Sequence, residues 1–386
     1  MAKTYLSRRV STLKPSGIRK FFDIAATMKE VISLGIGEPD FDSPKPIIEA
    51  GIQSLQNSQT HYTSNRGIMP LREALGRHIK NLYGVSYDPV DEIVMTVGGS
   101  EALVLACTAI LDPGDEVLLP TPCFVSYQGV ISLAGGKYVE VPSRMENQFM
   151  PDPDELEKAV TPRTKAILIN FPCNPTGAVA SNANLTAIGK FAEKHDLVVI
   201  SDEIYDRLVY GVDHICFASL PGMRERTILI GGFSKDYAMT GWRIGFACAP
   251  REVLEGLARV HQYIIMTAPT VSQYGALQGL NCCEDFVSHM RLEYDRRRRL
   301  IVEGLNYIGL PTFEPLGAFY AFPKVDVTGL DDEAFAERLL QEKHVAVVPG
   351  SAFGPGGEGF VRCSYATAFD QIEEALDRID QFVKSI

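Results

Sequence analysis

The chain has 386 residues, 46% of them hydrophobic and 22% charged, and carries a formal net charge of −11. That length accommodates two domains, or one large core with a satellite, and the acidic balance argues against a nucleic-acid surface. The basic tract Arg296–Arg299 lies in a helical pattern and reads as a solvated or salt-bridged face. No apolar run approaches the roughly 18 residues of a membrane span, and no apolar segment follows the basic residues of Met1–Arg9, so neither a span nor a signal peptide is predicted. Eight cysteines without a C-x-x-C pair read as buried free thiols in a reducing cytoplasm, and seven histidines without metal-ligand spacing indicate no zinc.

In chain order, Pro15 and Gly17 interrupt the first thirty residues, leaving a short predicted helix from Ile18 to Met28. The glycines of Gly35-Ile36-Gly37-Glu38-Pro39 allow either a close backbone approach to a ligand or a plain turn into a helix at Pro46–Gln56. An amphipathic run, Leu71–Tyr83, precedes a strand at Asp91–Val97. Gly98-Gly99-Ser100-Glu101 follows directly, and a helix is expected from Ala102 to Leu111. Strand, glycine turn and helix N-terminus together suit an anion, because free N–H groups and the positive dipole end point at one spot; a glycine turn capped by Ser100 reads equally well.

Strands are predicted at Glu116–Leu119, Lys137–Val141, Lys165–Asn170, Leu197–Asp202, Thr227–Ile230 and Ile244–Ala247, with helices at Asp154–Val160 and 182–195 among them. Apolar strands alternating with helices predict an α/β fold with a mainly parallel sheet. Several polar residues follow those strands: Asn174, Asp202 and Lys235. Asp202 is placed to cap the next element, or to join the others at the sheet edge where ligands of such folds bind. Lys235 stands either as a solvated surface charge or as an amine nucleophile toward a carbonyl cofactor, with Arg243 available for an anion. Beyond Pro250 three helices are expected (Glu252–Met266, Val271–Leu280, Asp285–Ile308). A smaller α+β unit follows, with strands at Ala318–Phe322, Val345–Val348 and Phe360–Ala366 and helices at Glu333–Glu342 and Phe369–Val383.

Read together, these motifs resemble the class I branch of pyridoxal-phosphate aminotransferases over about residues 16–380. The matching stretches are Gly35–Phe41, Gly98–Ala102, Asn174–Gly177, Ser201–Tyr205, Ser234–Gly245, Gly317–Tyr320, Val348–Phe353 and Val361–Ala366, in that order. The resemblance implies a large cofactor domain at 46–285 with a seven-stranded type of sheet. It also implies a smaller domain built from the N-terminal segment 1–45 and the C-terminal part 286–386. It implies pyridoxal 5'-phosphate as cofactor, joined to Lys235, which also serves as the base; Asp202 pairs with the pyridine nitrogen, and Tyr205 and Asn174 bond the ring oxygen. Phe124 stacks on the ring. Gly99, Ser100, the backbone N–H of Glu101, Ser234 and Arg243 hold the phosphate, joined by Tyr62 of a neighbouring subunit, so that a homodimer shares its sites. Arg362 grips the substrate carboxylate, with Asn174, Gly37 and Ile36 beside it. Relatives often carry Ser or Thr three positions before the lysine, where this chain has Gly232.

The function implied is transfer of an amino group from an L-amino acid to a 2-oxo acid, 2-oxoglutarate foremost, by a ping-pong reaction in the cytoplasm. Aromatic donors are favoured, because one aspartate-using branch has a lysine where this chain has Ser100. Aspartate, alanine and N-acyl-diaminopimelate are the alternatives, as is a lyase or synthase on the same scaffold. Arg19 is a candidate for a distal carboxylate. A transcription regulator on this fold would need an N-terminal helix-turn-helix domain, for which the matching region leaves no room.

Overall fold

The structure is a computed structural model that describes residues 5–11, 13, 28 and 30–386. Arg19 and residues 18–27 of the first predicted helix lie outside the described residues. A single helical turn, α1 (Arg8–Ser11), precedes the body of the chain.

A seven-stranded sheet organises the molecule. Its strands are β2 (Ile93–Thr96), β3 (Glu116–Thr121), β4 (Lys137–Pro142), β5 (Thr164–Asn170), β6 (Val198–Asp202), β7 (Thr227–Gly232) and β8 (Gly245–Cys248), in the spatial order β2-β8-β7-β6-β5-β3-β4. All neighbouring pairs are parallel except those of β8, which runs antiparallel to both β2 and β7. The sheet is therefore mainly parallel, and the fold is α/β as expected. Helices cover both faces, so β7 and residues 166–170 of β5 are wholly buried, and residues 228–230 and 166–169 read as unbroken apolar runs. Each fully buried Ile or Leu there contributes about 1.5–3 kcal/mol. The edge strand β4 is more exposed and begins with an exposed lysine, which discourages pairing with another chain.

Register decides where the site forms. Asn170 of β5 lies opposite Asp202 of β6, and Asp202 opposite Ile230 of β7. The reversed β8 brings its first residue, Gly245, opposite both Gly232 and Thr96, which close β7 and β2. One edge thus collects the carboxyl ends of β2, β5, β6 and β7 with the start of β8. Everything that follows these ends in sequence projects to that edge, including residues 98–101, Asn174, Tyr205, the lysine turn and, just ahead of β8, Arg243.

A second group of elements lies beyond the sheet. It comprises α10 (Glu284–Ile308), β9 (Tyr320–Ala321), α11 (Asp332–Lys343), β10 (Val345–Ala346), β11 (Val348–Pro349), β12 (Val361–Ser364) and α12 (Phe369–Val383). β12 is the middle strand of a three-stranded antiparallel sheet with β11 and β9. The short strand β1 (Ile32–Ser33) pairs in parallel with β10, and Ser364 N–H donates to Leu34 O at 2.6 Å. The segment after β1 is thereby laid against β12, although more than three hundred residues separate them in sequence.

Several expectations change. The glycines of Gly98–Gly99 are the first turn of helix α4 (Gly98–Ile110), not a turn ahead of it. Helix α5 (Ser126–Leu133) was not foreseen. The predicted strand Val345–Val348 is two strands in different sheets, because the chain changes partner at Val347. The strand expected from Ala318 shortens to Tyr320–Ala321, since Ala318 is held at φ 55 with its N–H on Leu208 O. Seven cysteines are buried, but Cys282 is exposed at the end of helix α9 (Thr270–Cys282). Of the arginine run, Arg297 and Arg298 are buried and paired with Asp40 and Glu293, and with Asp295 and Glu314. None of the described helices is long and apolar enough to cross a membrane.

Candidate active site

At the collecting edge of the sheet lies a cavity of about 350 Å³, closed on its far side by β12 and by the segment after β1. Lys235, Asp202, Tyr205, Asn174, Phe124, Gly99, Ser100, Ser234, Arg243, Arg362 and Gly37 all line it. Residues from five separate strand ends (β2, β3, β5, β6 and β7) and from the distant C-terminal group therefore meet in one space.

On the floor, Asp202 ends β6 and is buried. Its Oδ2 accepts a hydrogen bond from Tyr127 Oη at 2.8 Å and its Oδ1 accepts from Ile204 N–H at 3.2 Å, so it caps a turn and not a helix. Burial pushes its pKa up to about 6, against the lowering effect of those two hydrogen bonds. Asn170 steadies the same corner: its Nδ2 donates to Asp202 O at 2.8 Å and its Oδ1 accepts from Asn174 N–H at 3.0 Å.

Lys235 projects from the turn after β7, and its Nζ donates to Gly37 O at 2.7 Å. The part of its surface that is not buried faces the cavity, so few waters stabilise the ammonium. Burial accordingly lowers its pKa to about 8; Arg362 and Arg243 lower it further, while Glu38 and Asp202 raise it. A lysine in that range supplies neutral amine near neutral pH. Tyr205 Oη and Tyr320 Oη are 2.9 Å apart beside it, and both phenols are held in the neutral form chiefly by burial.

One end of the cavity is built for an anion. Helix α4 has no side-chain cap at Val97, so the N–H groups of its first turn stay free for a ligand. Gly98 sits at φ +73, and a Cβ there would lie 2.8 Å from Arg243 Nη2, so that guanidinium rests against the glycine backbone. Arg243 itself is held at φ 53, its Nη1 donates to Thr240 O, and it pairs with no carboxylate among the described residues. Glu101 turns away from this end: its Oε2 accepts from Val97 N–H, and its Oε1 meets Nδ1 of the buried His261 at 2.7 Å.

The opposite end holds a second cation. Arg362 of β12 is buried; its Nη1 donates to Asn174 Oδ1 at 2.8 Å and its Nη2 to Gly35 O at 2.6 Å, with its guanidinium carbon 4.5 Å from the Tyr320 ring centre. Its Nε has no partner, and no carboxylate pairs with it among the described residues. A buried guanidinium held by neutral groups is suited to an anionic ligand with two oxygens.

Three expected residues stand outside the cavity lining. Ile36 is 45% exposed, Tyr62 is 78% exposed, and the Glu101 side chain is engaged as described. Conversely, Tyr127, Asn170, Tyr320, Glu38 and Thr240 line the cavity without having been singled out. Tyr127 carried a legible signal, since Phe124 and Tyr127 follow a strand end; their rings meet edge to face at 5.6 Å. Tyr320 closes a motif already matched, but its contact with Tyr205 is a tertiary fact that spacing does not reveal.

With this geometry in view, comparison with known proteins is direct. The family model "Aminotransferase class I and II" matches residues 29–379. An aspartate aminotransferase of Pyrococcus abyssi is 50% identical over 98% of both chains. Aromatic-amino-acid aminotransferase 2 of Thermococcus litoralis is 48% identical over the same share. A crystal structure of an aromatic aminotransferase from Pyrococcus horikoshii superposes with a TM-score of 0.91 at 47% identity, covering 95% of this chain and 99% of that one.

Proposed function

The chain belongs to the class I and II aminotransferases, and from that premise we propose a pyridoxal-phosphate enzyme that moves the amino group of an aromatic L-amino acid to a 2-oxo acid, 2-oxoglutarate foremost. The observation that carries the reading is the pairing of unspent charges in one cavity. Asp202 is a buried carboxyl without a cation at contact, and Arg243 and Arg362 are cations without a carboxylate among the described residues. A pyridinium nitrogen would answer the first, a phosphate the second and a substrate carboxylate the third.

Pyridoxal phosphate supplies, when bound, a conjugated ring that takes up the electron pair released at the substrate Cα. Asp202, oriented by Tyr127, would hold the proton on the ring nitrogen. The first turn of α4 with Gly99, Ser100, the Glu101 N–H, Ser234 and Arg243 would hold the phosphate; Phe124 would cover the ring face, and Tyr205 with Asn174 would bond the ring oxygen. Lys235 would anchor the cofactor, then, once released, carry the proton from and back to the substrate Cα; its lowered pKa leaves it able to do both near pH 8. Arg362, positioned by Asn174 and Gly35, would grip the α-carboxylate with its planar fork, with Gly37 and Ile36 beside it, and would fix the Cα under the lysine.

Aspartate and aromatic relatives are nearly equally similar, so likeness alone does not choose the donor. The lining favours aromatic side chains. Lys235, Arg243 and Arg362 are its cations among the described residues, each already assigned, and Ser100 stands where a lysine would serve a distal carboxylate. We further propose that the active unit is a homodimer in which Tyr62 of one copy reaches the phosphate site of the other, and that the enzyme works in the cytoplasm. The test is a half-reaction: single amino acids are mixed with the holoenzyme without a 2-oxo acid, and the visible band of the lysine-linked cofactor is followed. Phenylalanine and tyrosine should convert it to the amine form faster than aspartate. A faster reaction with aspartate reverses the donor assignment, and release of ammonia with the band retained indicates elimination instead of transfer.

A further inference from the structure

Lys235 and Asp236 are consecutive in a tight turn, so their side chains leave it on opposite sides. Lys235 enters the active-site cavity, whereas Asp236 lines a second, closed space of about 20 Å³ behind it, room for about one water. Asp236 is 95% buried, for its relative exposure is 5%, and its Oδ1 has no hydrogen-bond partner. Asp206, from the turn that follows β6, lines the same space, and its carboxylate stands close enough to Asp236 to push the Asp236 pKa up. Two carboxyl groups can bond to each other only if one of them keeps its proton.

The surrounding groups decide which one. From helix α3 (Met69–Tyr83), Tyr83 Oη donates to Asp206 Oδ2 at 2.5 Å, which requires Asp206 to accept, and His78 is held toward its neutral form by burial. Glu203, after β6, is fully engaged by Ser201 Oγ, His214 Nε2 and Phe217 N–H. Arg207 gives its Nη2 to Glu284 of α10, so its charge already has a partner. Tyr237, also lining the space, is a neutral phenol pushed upward by burial. Arg207 keeps a buried Nη1 without a partner and draws the Asp236 pKa down, but among the described residues no cation stands within ion-pair distance of Asp236, and burial together with Asp206 outweighs Arg207 and drives its pKa well above the carboxylate range.

We propose that Asp236 holds one proton and donates it to the Asp206 carboxylate, and that this acid–carboxylate bond is the positioning device that pins the lysine turn to the turn after β6 and, through Tyr83, to helix α3. The inference rests on the proposed role of Lys235 only for its kinetic consequence; the bond itself is tested without it.

The sign of the linkage gives that test. A folded-state pKa raised above the unfolded value means that the folded protein keeps a proton the unfolded chain has lost, so stability falls as pH rises above about 4. Asp236→Asn donates the same bond without titrating. Its urea midpoint, measured on the full-length holoenzyme from about pH 5 to about pH 9, should therefore draw steadily away from the wild-type midpoint toward greater stability as pH rises. Asp206→Asn removes the negative charge beside Asp236 and offers its carboxylate an N–H donor, and should likewise reduce the wild-type slope. If either variant does not fold, the other carries the measurement; curves parallel to wild type overturn the shared proton. A second arm addresses positioning. Asp236→Ala cannot bond and does not overpack the space, and should lower kcat on the order of tenfold with little change in KM, Asp236→Asn recovering most of the loss. Equal losses in both variants would overturn the positioning role while leaving the transaminase assignment standing.

Discussion

In the proposed reading, Asp202 shows how a single residue sets the terms of cofactor binding. With its pKa raised to about 6 by burial, the folded protein without cofactor holds a proton there that the unfolded chain gives up near pH 4. Apoprotein stability therefore declines as pH rises through that interval and stays low above it, by about 3 kcal/mol at most. Asp202→Asn removes this titration while its carbonyl oxygen can still accept from Tyr127. The apo variant should gain on the apo wild type between about pH 4 and about pH 6.5 in urea unfolding, and lose cofactor readily at neutral pH. A stability difference that does not change with pH would show that Asp202 is not a strained buried charge in the empty site. The same reasoning explains why an apparently unfavourable group persists: a cation bound beside it offsets the desolvation that the apoprotein bears.

Among the elements, the ends of β6 and β7 illustrate how a strand terminus adapts to a missing side chain. A Cβ built on Gly232 would lie 2.8 Å from Ile204 Cδ1 and 3.3 Å from Gly245 Cα. The methyl of Ile204, which lines the active-site cavity, therefore takes the space a hydroxyl-bearing residue would use at position 232. Gly232→Ser alone should cost about 1–3 kcal/mol through overpacking. Ile204→Val deletes the clashing methyl, so the double variant should regain stability beyond the sum of the single effects and bind inorganic phosphate more tightly in the apo form. A serine that costs the same with and without Ile204→Val would refute the exchange. This coupling was not legible in the sequence, because Gly232 and Ile204 are far apart in the chain and meet only through sheet register. Legible, by contrast, were the apolar strands and the polar residues following them, since burial on both faces leaves an unbroken apolar run that ends where the chain turns. The split at Val347 and the early start of α4 escaped for a related reason: two-residue strands carry no periodicity, and glycine is a poor helix former that tertiary packing overrides.

At the scale of the whole molecule, one chain leaves part of its apolar surface uncovered near the proposed phosphate end. Tyr62 is 78% exposed and Tyr263 85%, followed by exposed Ile264, Ile265 and Met266. Their segments are fastened side by side: Asn65 Nδ2 donates to Met266 O at 2.7 Å and Thr270 Oγ1 to His61 O at 2.9 Å. A cluster of large apolar side chains held on ordered backbone marks an interaction surface, and a second copy is the occupant that gives Tyr62 a task. The consequence is a complementation test. In the proposed arrangement Lys235→Ala would destroy the site of its own chain, and Tyr62→Ala would weaken the site of its neighbour. In a mixed dimer both lesions fall on one site, leaving the other with a native lysine and a native tyrosine. Unfolding and refolding the two variants together should restore about a quarter of wild-type activity, since half of randomly formed twofold dimers are mixed and each carries one native site. Tyr62→Ala alone should retain little activity at limiting cofactor. If the mixture shows only the average of the two parents, Tyr62 serves its own chain or none, and the shared-site arrangement is wrong.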